Sequence, residues 1–343
     1  MSDQHSSLHK GTKPASPAVR RACAGAGFLG RLLPKQPAAC FLAAFLLLVL
    51  GGIGATIAAH VALARAALLP PPPLAATWCI DEKFAFLREM PLERFTLIAI
   101  GSSATWRNLD MSVLEQRLHG TRAINAAPCY LHIDQTAYMA GFLLERMPRV
   151  DTVLAVVAPR DFEACPASQR AFFDPHLAGA YLGGRVPAWL PYVTGFRPIY
   201  LAREAIEQEN LPPGPDAVAL DGHGSSILRK PHSWRPAPVF DPSCYEGLAT
   251  LEETVTSRGA RLVVSSLPVM PEWSERFDPD GSLVESWTRE MRATLRQPET
   301  LFLDGRSLAW GDERFADPVH LLYPHHSPFT DFIARAMAGQ AGS

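Results

Sequence analysis

Short apolar runs recur between residues 95 and 303, and patterns typical of helices lie between them. The runs are rich in Val, Ile and Leu without polar alternation, as strands buried on both faces are. They lie at 95–100, 123–127, 152–158, 261–267 and 300–303. Helices are predicted at 111–118, 134–147, 245–257, 282–296 and 328–337. This alternation predicts an α/β domain with a five-stranded parallel sheet between two layers of helices.

One long segment interrupts the alternation between the third and fourth strands. Residues 163–243 are rich in Pro, Gly and aromatic side chains, and only 198–209 has a helical pattern. Ordinary connections are far shorter. We therefore predict a domain at 92–338 with an insertion at 163–243 that covers a site or binds a partner. An insertion without such a role is the alternative.

An apolar stretch near residue 40 has the composition of a membrane span. Residues 37–69 contain no Asp, Glu or Lys and a single Arg, at position 65. About 20 apolar residues cross a hydrocarbon core as a helix. A cleaved signal peptide is the alternative, but its apolar region usually has about 7–15 residues and begins earlier. The sequence thus predicts one transmembrane helix at 37–69, between a disordered tail at 1–36 and a linker at 70–91.

Charge differs on the two sides of this stretch. Residues 1–36 carry six basic side chains and one acidic side chain. Because basic flanks stay in the cytoplasm, we expect a single-pass protein of the inner (cytoplasmic) membrane with a cytoplasmic N-terminus and a periplasmic C-terminal domain. Beyond residue 71, 25 of the 32 basic and 33 of the 34 acidic residues remain, a formal charge of −8. This charge argues against nucleic acid as a partner.

Four cysteines, Cys79, Cys129, Cys165 and Cys244, fall in the part predicted to be exported. In an oxidising compartment they can form two disulfides, in any of three pairings. Buried free thiols are the alternative. The spacing of these cysteines fits no zinc pattern.

The small-residue motif Gly101-Ser102-Ser103 follows the first apolar run. Ligands of open parallel sheets bind at the carboxyl ends of strands. A serine there, before a helix, exposes its hydroxyl beside backbone N–H groups that can hold an oxyanion. Strand alternation favours Ser103 as nucleophile, with Ser102 as the alternative. A turn that only needs small capping residues would give the same motif.

A second motif, Asp317-Pro318-Val319-His320, lies near the C-terminus. A serine hydroxyl needs a base to become a nucleophile. His320 can be that base, and Asp317 can hold the imidazole tautomer and stabilise its cation. The two motifs together supply the residues of a serine acyl-transfer enzyme in the order Ser, Asp, His. Taken alone, the second motif also fits a surface loop with a helix cap.

Two further motifs point to other chemistry. His320, His325 and His326 lie close in sequence, but no helical pattern of carboxylate and His accompanies them, so we predict no metal and no cofactor. Gly222-His223-Gly224-Ser225-Ser226 superficially resembles a lipase nucleophile elbow. It lacks the glycine after the serine and has no preceding strand. We interpret it as a flexible loop of the insertion.

The Gly-Ser-Ser and Asp-x-x-His motifs resemble the first and last blocks of the SGNH (GDSL-like) hydrolase superfamily. Gly-Ser-Ser is more similar to its membrane-anchored branch, which includes alginate O-acetylation proteins and the D-alanyl-transfer protein of teichoic acid modification. The resemblance covers 92–338 without the insertion, and only the two end blocks are specific. It implies a flavodoxin-like three-layer α/β/α fold and a triad of Ser103, His320 and Asp317.

The middle blocks depart from the pattern of this superfamily. The second block usually offers a glycine N–H to the oxyanion hole, whereas this chain has Asn125-Ala126-Ala127-Pro128. The third block usually has an Asn donor where this chain has Arg160. The candidate oxyanion donors are therefore the backbone N–H of Ser103, Arg160 and Asn125. The departures fit a specialised transferase or a domain that has lost part of its chemistry.

The resemblance implies a membrane-anchored extracytoplasmic acyltransferase or esterase that acts on a cell-envelope or exported polysaccharide. An O-acetyl or similar small acyl group is the expected cargo. A glycan is the expected acceptor, aromatic residues of the insertion are candidates to bind its sugar rings, and a membrane protein that donates acyl groups is a further expected partner. Two alternatives stay open: a non-catalytic scaffold of polysaccharide assembly or secretion with the same fold, and a periplasmic lipase or thioesterase.

Overall fold

The chain divides into two compact units, Met1–Ala67 and Leu68–Ser343. The computed structural model describes residues 37–66, 68–75, 77–165, 170–195, 206, 220–231 and 236–340. The tail predicted at 1–36 lies outside the described residues. So does the helix predicted at 198–209, apart from residue 206.

The first unit contains helix α1, Pro37–Arg65, which has 29 residues. At a rise of 1.5 Å per residue its length is about 43 Å, more than the ~30 Å of a hydrocarbon core. The segment Ala38–Arg65 has a mean hydropathy of 2.4. By length and composition, α1 is therefore able to cross a membrane.

The second unit is built on a parallel sheet of five strands in the order β2-β1-β3-β4-β5. The strands are β1 (Leu97–Ala99), β2 (Ala123–Asn125), β3 (Thr152–Val157), β4 (Arg261–Ser266) and β5 (Leu301–Leu303). Each predicted apolar run contains one of them, which confirms the prediction of a five-stranded parallel sheet. The first four are almost wholly buried, which is why their sequences lack polar alternation.

The strand order reverses at β1, because β2 lies on one side of it and β3 on the other. In open parallel sheets, such a reversal leaves a crevice at the carboxyl ends of the two flanking strands, where ligands bind. The residues that follow β1 and β3 therefore face the place where a site is expected. These are Ser102 and Ser103 after β1, and Arg160 and Asp161 after β3.

Helices connect the strands, and a short strand pair lies near the C-terminus. The helices are α2 (Trp78–Arg88), α3 (Ser103–Asn108), α4 (Met111–Arg117), α5 (Ile133–Leu144), α6 (Pro175–Leu182), α7 (Leu190–Thr194), α8 (Ser243–Thr256), α9 (Pro271–Phe277), α10 (Ser282–Thr294) and α11 (His326–Gln340). The strand pair is β6 (Phe315–Asp317) with β7 (His320–Leu321), antiparallel. Helix α5 packs against α8, and α4 packs against α11.

The segment predicted as a linker, 70–91, contains helix α2 instead. Phe84 and Leu87, three positions apart on one face of α2, are fully buried. The Phe84 ring contacts Phe142 of α5 and Phe173, with centroids 6.1 and 5.0 Å apart. The run of prolines at 70–73 had favoured a spacer, but the apolar face of α2 makes it part of the core. The domain therefore begins well before residue 92.

Two disulfides join distant parts of the second unit. Cys79 at the start of α2 pairs with Cys129, and Cys165 after β3 pairs with Cys244 in α8, with Cα–Cα distances of 5.9 and 5.3 Å. They select one of the three possible pairings and leave none of these four thiols free. A disulfide across loops of this length typically contributes about 2–4 kcal/mol to stability.

Candidate active site

The nucleophile candidate, Ser103, is the first residue of α3 and is partly exposed. The chain enters α3 through Gly101, whose φ of +155° favours glycine, and a Cβ there would overlap Oγ1 of Thr105. Ser102 caps the helix, because its Oγ accepts a hydrogen bond of 3.2 Å from the backbone N–H of Ala104. The motif therefore forms a tight strand-to-helix turn that also presents the Ser103 hydroxyl.

Thr105 fastens this short helix to the end of the sheet. Its Oγ1 donates to the carbonyl of Val156 at 2.7 Å and accepts from the Val156 backbone N–H at 3.0 Å. Both groups belong to β3, and Thr105 is fully buried. Ser103 thus lies on a helix that side-chain hydrogen bonds hold to the neighbouring strand.

Asp317 and His320 form a buried pair in the turn between β6 and β7. Nδ1 of His320 lies 2.7 Å from Oδ2 of Asp317, and both side chains are at least 90% buried. A carboxylate only accepts hydrogen bonds, so Nδ1 is the donor and Nε2 is the acceptor nitrogen of the neutral ring. Oδ1 of Asp317 accepts from the Val319 backbone N–H at 2.8 Å, which closes the turn. This is the tautomer that a general base needs.

Asn108, at the end of α3, holds this turn against the helix of Ser103. Its Nδ2 donates to the carbonyls of Ala104 and Val319 at 2.7 and 3.0 Å. Its Oδ1 accepts from the Leu321 backbone N–H at 2.6 Å. Since Val319 and Leu321 flank His320, the buried Asn108 amide sets the position of the imidazole relative to α3. The sequence offered no local signal for this role.

Ser103 and His320 line one cavity of about 340 Å³. Ser102 and Arg160 line it too, whereas Asp317 lies behind His320. The structure therefore brings the three predicted triad residues to one place, together with one of the predicted oxyanion donors. This cavity lies at the strand-order reversal between β1 and β3.

The opposite wall of the cavity comes from the segments joined by the Cys79–Cys129 disulfide. Trp78, Tyr130 and His132 line it together with both cysteines. Tyr130 is 70% exposed and has a φ of +56°, a conformation that costs a non-glycine residue about 1–2 kcal/mol. Such residues cluster at binding sites. Sequence reasoning missed this wall because it placed residues 70–91 in a linker.

Two guanidinium groups also line the cavity. Arg107 lies four residues after Ser103, so both are on the same face of α3, and its guanidinium is 4.7 Å from the centre of the Trp106 ring. Burial lowers the pKa of Arg107, while Tyr130 and Asp317 oppose that change. Arg160 forms an ion pair of 3.4 Å with Glu163.

Several polar groups of this cavity have no protein acceptor or donor among the described residues. Arg107 donates no hydrogen bond to any of them, although it is largely buried. Nε of Arg160 and Nδ1 of His132 are buried without a hydrogen-bond partner in the same part of the chain. Buried polar groups in proteins are almost always paired. A ligand with hydrogen-bonding oxygens would satisfy these groups.

Ser102 and Asp161 form a second buried contact beside Ser103. Burial raises the pKa of the Asp161 carboxyl to about 7, while hydrogen bonds from the Ser102 hydroxyl and the Ala158 backbone N–H work against this rise. The Ala158 N–H lies 2.9 Å from Oδ2 of Asp161. Ser102 is 4% exposed and both caps α3 and bonds Asp161. These bonds favour Ser103 over Ser102 as the nucleophile.

Asn125, predicted as an oxyanion donor, lies outside the cavity. Its Nδ2 donates to the carbonyls of Thr105 and Trp106 and to Oγ of Ser225, at 3.0–3.2 Å. Its Oδ1 accepts from the Ala127 backbone N–H. All its hydrogen-bonding capacity is thus used inside the fold, beneath α3. We therefore drop Asn125 from the oxyanion donors.

The motif Gly222-His223-Gly224-Ser225-Ser226 is anchored, which corrects its interpretation as a flexible loop. The backbone N–H of Asn125 donates to the carbonyl of His223 at 2.8 Å. The carbonyl of Gly224 accepts from the buried Lys83 amine and from the Trp106 indole. Both serines are buried, so neither is a nucleophile.

Among the described residues, no group of three His, Cys, Asp or Glu side chains is arranged to hold a metal ion. Of the three histidines considered, His326 is buried 3.9 Å from Asp110 rather than beside His320.

No protein-family model matches this chain, and no curated protein matches it significantly.

Proposed function

We propose that this protein is a membrane-anchored, extracytoplasmic serine acyltransferase or esterase of the SGNH-like type, acting on a cell-envelope or exported polysaccharide. One observation carries the proposal: Ser103 lines the same cavity, at the carboxyl edge of a parallel sheet, as His320, and His320 is hydrogen-bonded to the buried Asp317. The buried pair has the orientation of a base and its carboxylate. A non-catalytic scaffold would not need this arrangement.

The reaction proceeds through an acyl-enzyme. Oγ of Ser103 attacks the carbonyl carbon of an acyl ester or thioester donor, while Nε2 of His320 takes the hydroxyl proton. His320 then gives that proton to the departing alcohol or thiol. In the second half, His320 takes a proton from an acceptor hydroxyl, whose oxygen attacks the acyl carbon. Ser103 recovers its proton and the acceptor leaves acylated; with water as acceptor the product is the free acid.

The negative charge that develops on the carbonyl oxygen during the attack is stabilised by hydrogen-bond donors. The backbone N–H of Ser103 and the Arg160 side chain are the candidates, because Arg160 lines the cavity and its buried Nε has no partner among the described residues. An arginine in this position supplies a charged donor where the superfamily usually has an amide. That difference is better suited to a transferase with a single acyl donor than to an esterase of broad specificity.

The acceptor is a glycan that carries a carboxylate or phosphate. Arg107 supports this assignment, since a guanidinium presents several N–H donors in a plane that matches such anions. The aromatic residues Trp78 and Tyr130 on the opposite wall offer apolar faces against which a sugar ring packs. His132 adds a further polar group beside them.

The location and the finer fold are part of the same proposal. Helix α1 is the membrane anchor, with the basic N-terminal flank in the cytoplasm and the second unit outside. The two disulfides support an oxidising compartment. The helix pairs α5–α8 and α4–α11 support the three-layer arrangement of the SGNH superfamily.

The test is labelling of the full-length protein in detergent with a fluorescent fluorophosphonate, which reacts with activated serines. Wild type should be labelled, and Ser103→Ala and His320→Ala should not. Ser286→Ala, on α10 and outside the cavity, is the control and should be labelled like wild type. Equal labelling of Ser103→Ala, or none of a folded wild type, would contradict the proposal.

A further inference from the structure

The two ends of the predicted insertion, 163–243, meet beside the catalytic cavity. One disulfide and two hydrogen bonds join them. They are the Cys165–Cys244 disulfide, a bond of 3.0 Å from the Val239 backbone N–H to Oε1 of Glu163, and a bond of 2.9 Å from the Asp241 backbone N–H to the carbonyl of Phe162. We call these three contacts the insertion clasp. The clasp fixes the base of the insertion to the chain that follows β3.

Glu163 connects the insertion clasp to Arg160. Its Oε2 lies 3.4 Å from a terminal nitrogen of the Arg160 guanidinium, while its Oε1 accepts the Val239 backbone N–H. Both charged side chains line the catalytic cavity, and they are 22% and 32% exposed. One carboxylate therefore joins the backbone of the clasp to the side chain proposed as an oxyanion donor.

The two residues lie side by side because of a short 3₁₀ turn, Pro159–Phe162. The ring of Pro159 presets the backbone of its first residue. The turn ends where the Glu163 backbone N–H donates to the carbonyl of Arg160 at 3.4 Å. Side chains three positions apart lie above one another in 3₁₀ geometry. The local sequence thus places the carboxylate beside the guanidinium at the end of β3.

An arginine side chain does not hold one position by itself. It has several rotatable bonds, and fixing them costs conformational entropy. Nε of Arg160 is buried and has no partner among the described residues, whereas a terminal nitrogen is paired with Glu163. Partly exposed ion pairs add little to stability, but donors that stabilise developing charge must be in place before the reaction. The ion pair therefore suits a role in positioning better than one in folding.

We propose that Glu163 is a positioning residue for acyl transfer: its carboxylate, held by the insertion clasp, orients the Arg160 guanidinium towards the carbonyl oxygen of the acyl group on Ser103. The inference rests on the proposed function, in which Arg160 stabilises the charge on that oxygen. Glu163 itself forms and breaks no bond in the reaction. The base of the insertion then supports the site from behind, whatever its other residues bind.

Hydrolysis of p-nitrophenyl acetate by the full-length protein in detergent is the first test. Glu163→Gln keeps an acceptor for the Val239 N–H but loses the ion pair, so kcat should fall about tenfold with little change in KM. In an Arg160→Ala background, the same substitution should change kcat by less than about twofold, since Glu163 acts through Arg160.

The matched control is Glu145→Gln, which removes an exposed ion pair with Arg258 outside the cavity and should keep the kcat of wild type. Urea unfolding checks that each variant is folded. A wild-type kcat in Glu163→Gln, or a tenfold loss that persists without Arg160, overturns the inference.

An NMR measurement tests the orientation without turnover. Full-length protein is labelled with ¹⁵N-arginine, and the Nε–H resonance of Arg160 is assigned from Arg160→Lys. Ser103 is then phosphonylated with a fluorophosphonate, whose adduct carries an oxygen in place of the oxyanion. The resonance should shift in wild type and much less in Glu163→Gln. Equal shifts in the two proteins, or no shift in wild type, overturn the inference.

The insertion clasp has a test of its own at Val239. Val239→Pro removes the N–H that holds Glu163, and little else is lost because the side chain is 80% exposed. Its kcat should fall about threefold, and the double variant with Glu163→Gln should be no slower than Glu163→Gln alone. Val239→Ala keeps the N–H and should behave like wild type. A wild-type kcat in Val239→Pro overturns the role of the clasp.

The two proposals fail in distinguishable ways. If Ser103→Ala hydrolyses p-nitrophenyl acetate like wild type, the proposed function fails and the inference fails with it. If turnover depends on Ser103 and falls in Arg160→Ala, but neither kcat nor the Nε–H shift depends on Glu163, the inference fails and the proposed function stands.

Discussion

The two halves of the catalytic cavity are held in different ways. The proposed catalytic cluster consists of Ser103, Asn108, Asp317 and His320. Hydrogen bonds of 2.6–3.0 Å made by Asn108 and Asp317 hold the turn of His320 against the helix of Ser103. The open polar groups, Arg107, His132 and Arg160, lie around the same space with hydrogen-bonding atoms that no described residue satisfies. Hydrogen bonds within the protein thus fix Asn108, Asp317 and the Nδ1 side of His320, whereas atoms of the second set have no partner among the described residues.

This difference separates two tasks. Acyl transfer requires its base and carboxylate to be fixed before the substrate arrives, since reorganisation during the reaction would raise the barrier. Recognition requires unsatisfied donors, since their pairing with the substrate is the source of specificity. Changes to the catalytic cluster should therefore affect all substrates alike, and changes to the open polar groups should depend on the charge of the substrate.

The largest effect is expected at the proposed nucleophile, Ser103, and its proposed base, His320. Ser103→Ala and His320→Ala should each lower kcat by about 10⁴–10⁶-fold, by analogy with the measured loss of a triad member. The double variant should lose little more than either alone, because the residues act as a unit. Steady-state hydrolysis of p-nitrophenyl acetate measures this, and additive losses would show that the two residues do not act together.

The next effect is expected at Asn108. Asn108→Ala removes the amide that positions Val319 and Leu321, so His320 should shift and kcat should fall by about 10²-fold. KM should change little, because Asn108 does not line the cavity. Denaturant unfolding should show a loss of about 1–3 kcal/mol for buried groups left unpaired.

The variant Asn108→Asp tests whether Asn108 acts by positioning His320 or only by stabilising the fold. It keeps the acceptor for the Leu321 N–H but cannot donate to the Val319 carbonyl, so its kcat should lie between those of wild type and Asn108→Ala. A kcat for Asn108→Ala that equals that of wild type, despite lower stability, would show that the turn holds His320 without this amide.

A smaller, selective effect is expected at Arg107. Arg107→Gln should lower kcat/KM about 10–100-fold for an acceptor oligosaccharide with carboxylates, and much less for its methyl-esterified, neutral form. Arg107→Lys should recover only part of this loss, because an ammonium lacks the planar pair of donors. Equal losses with charged and neutral acceptors would place Arg107 with the catalytic cluster instead.

At Asp161 the expected effect is on stability rather than on turnover. Its carboxyl has a pKa of about 7 in the folded protein against an ordinary value of 3.8, so the folded state holds a proton that the unfolded chain has lost. Between about pH 4 and pH 7, this group lowers the free energy of unfolding by up to about 1.4 kcal/mol per pH unit as the pH rises. Asp161→Asn should remove that slope.

Urea unfolding of the full-length protein at pH 5 and pH 7 measures the difference. Stability should fall less between these pH values in Asp161→Asn than in wild type. Asp151→Asn, an exposed carboxyl outside the cavity, is the control and should behave like wild type. Identical pH dependence in Asp161→Asn would show that the carboxyl is ionised throughout this range.

Sequence patterning predicted the sheet because its strands are buried on both faces and read as continuous apolar runs. It also predicted Asp317 and His320 as a pair, since a hydrogen bond three residues apart is a local feature. It missed α2, whose apolar face follows a run of prolines, and with it the wall that contains Trp78. It missed Asn108 because its partners lie more than 200 positions away along the chain.

Arg107 and Asn125 show where the limits of sequence reasoning lie. A helix that starts at Ser103 places Arg107 on the same face, four positions further on, but the sequence pattern at Gly101-Ser102-Ser103 predicts only a turn before a helix at 111–118. The prediction that Asn125 is an oxyanion donor rests only on its position in the second block of the resembled superfamily. Only the packing of the 220–226 segment under α3 shows that its amide is used inside the fold.

The disulfide between Cys79 and Cys129 bears on the stage at which the proposed acyl transfer can begin. Both half-cystines line the cavity, so one wall has its final shape only after the two sulfurs are joined. In the proposed location, a newly made chain in reducing surroundings would already contain Ser103, His320 and Asp317. The disulfide that holds the wall of Cys79 and Cys129 together would not yet have formed. Oxidation after crossing the membrane would complete the site, so synthesis and the onset of acyl transfer would take place in different compartments.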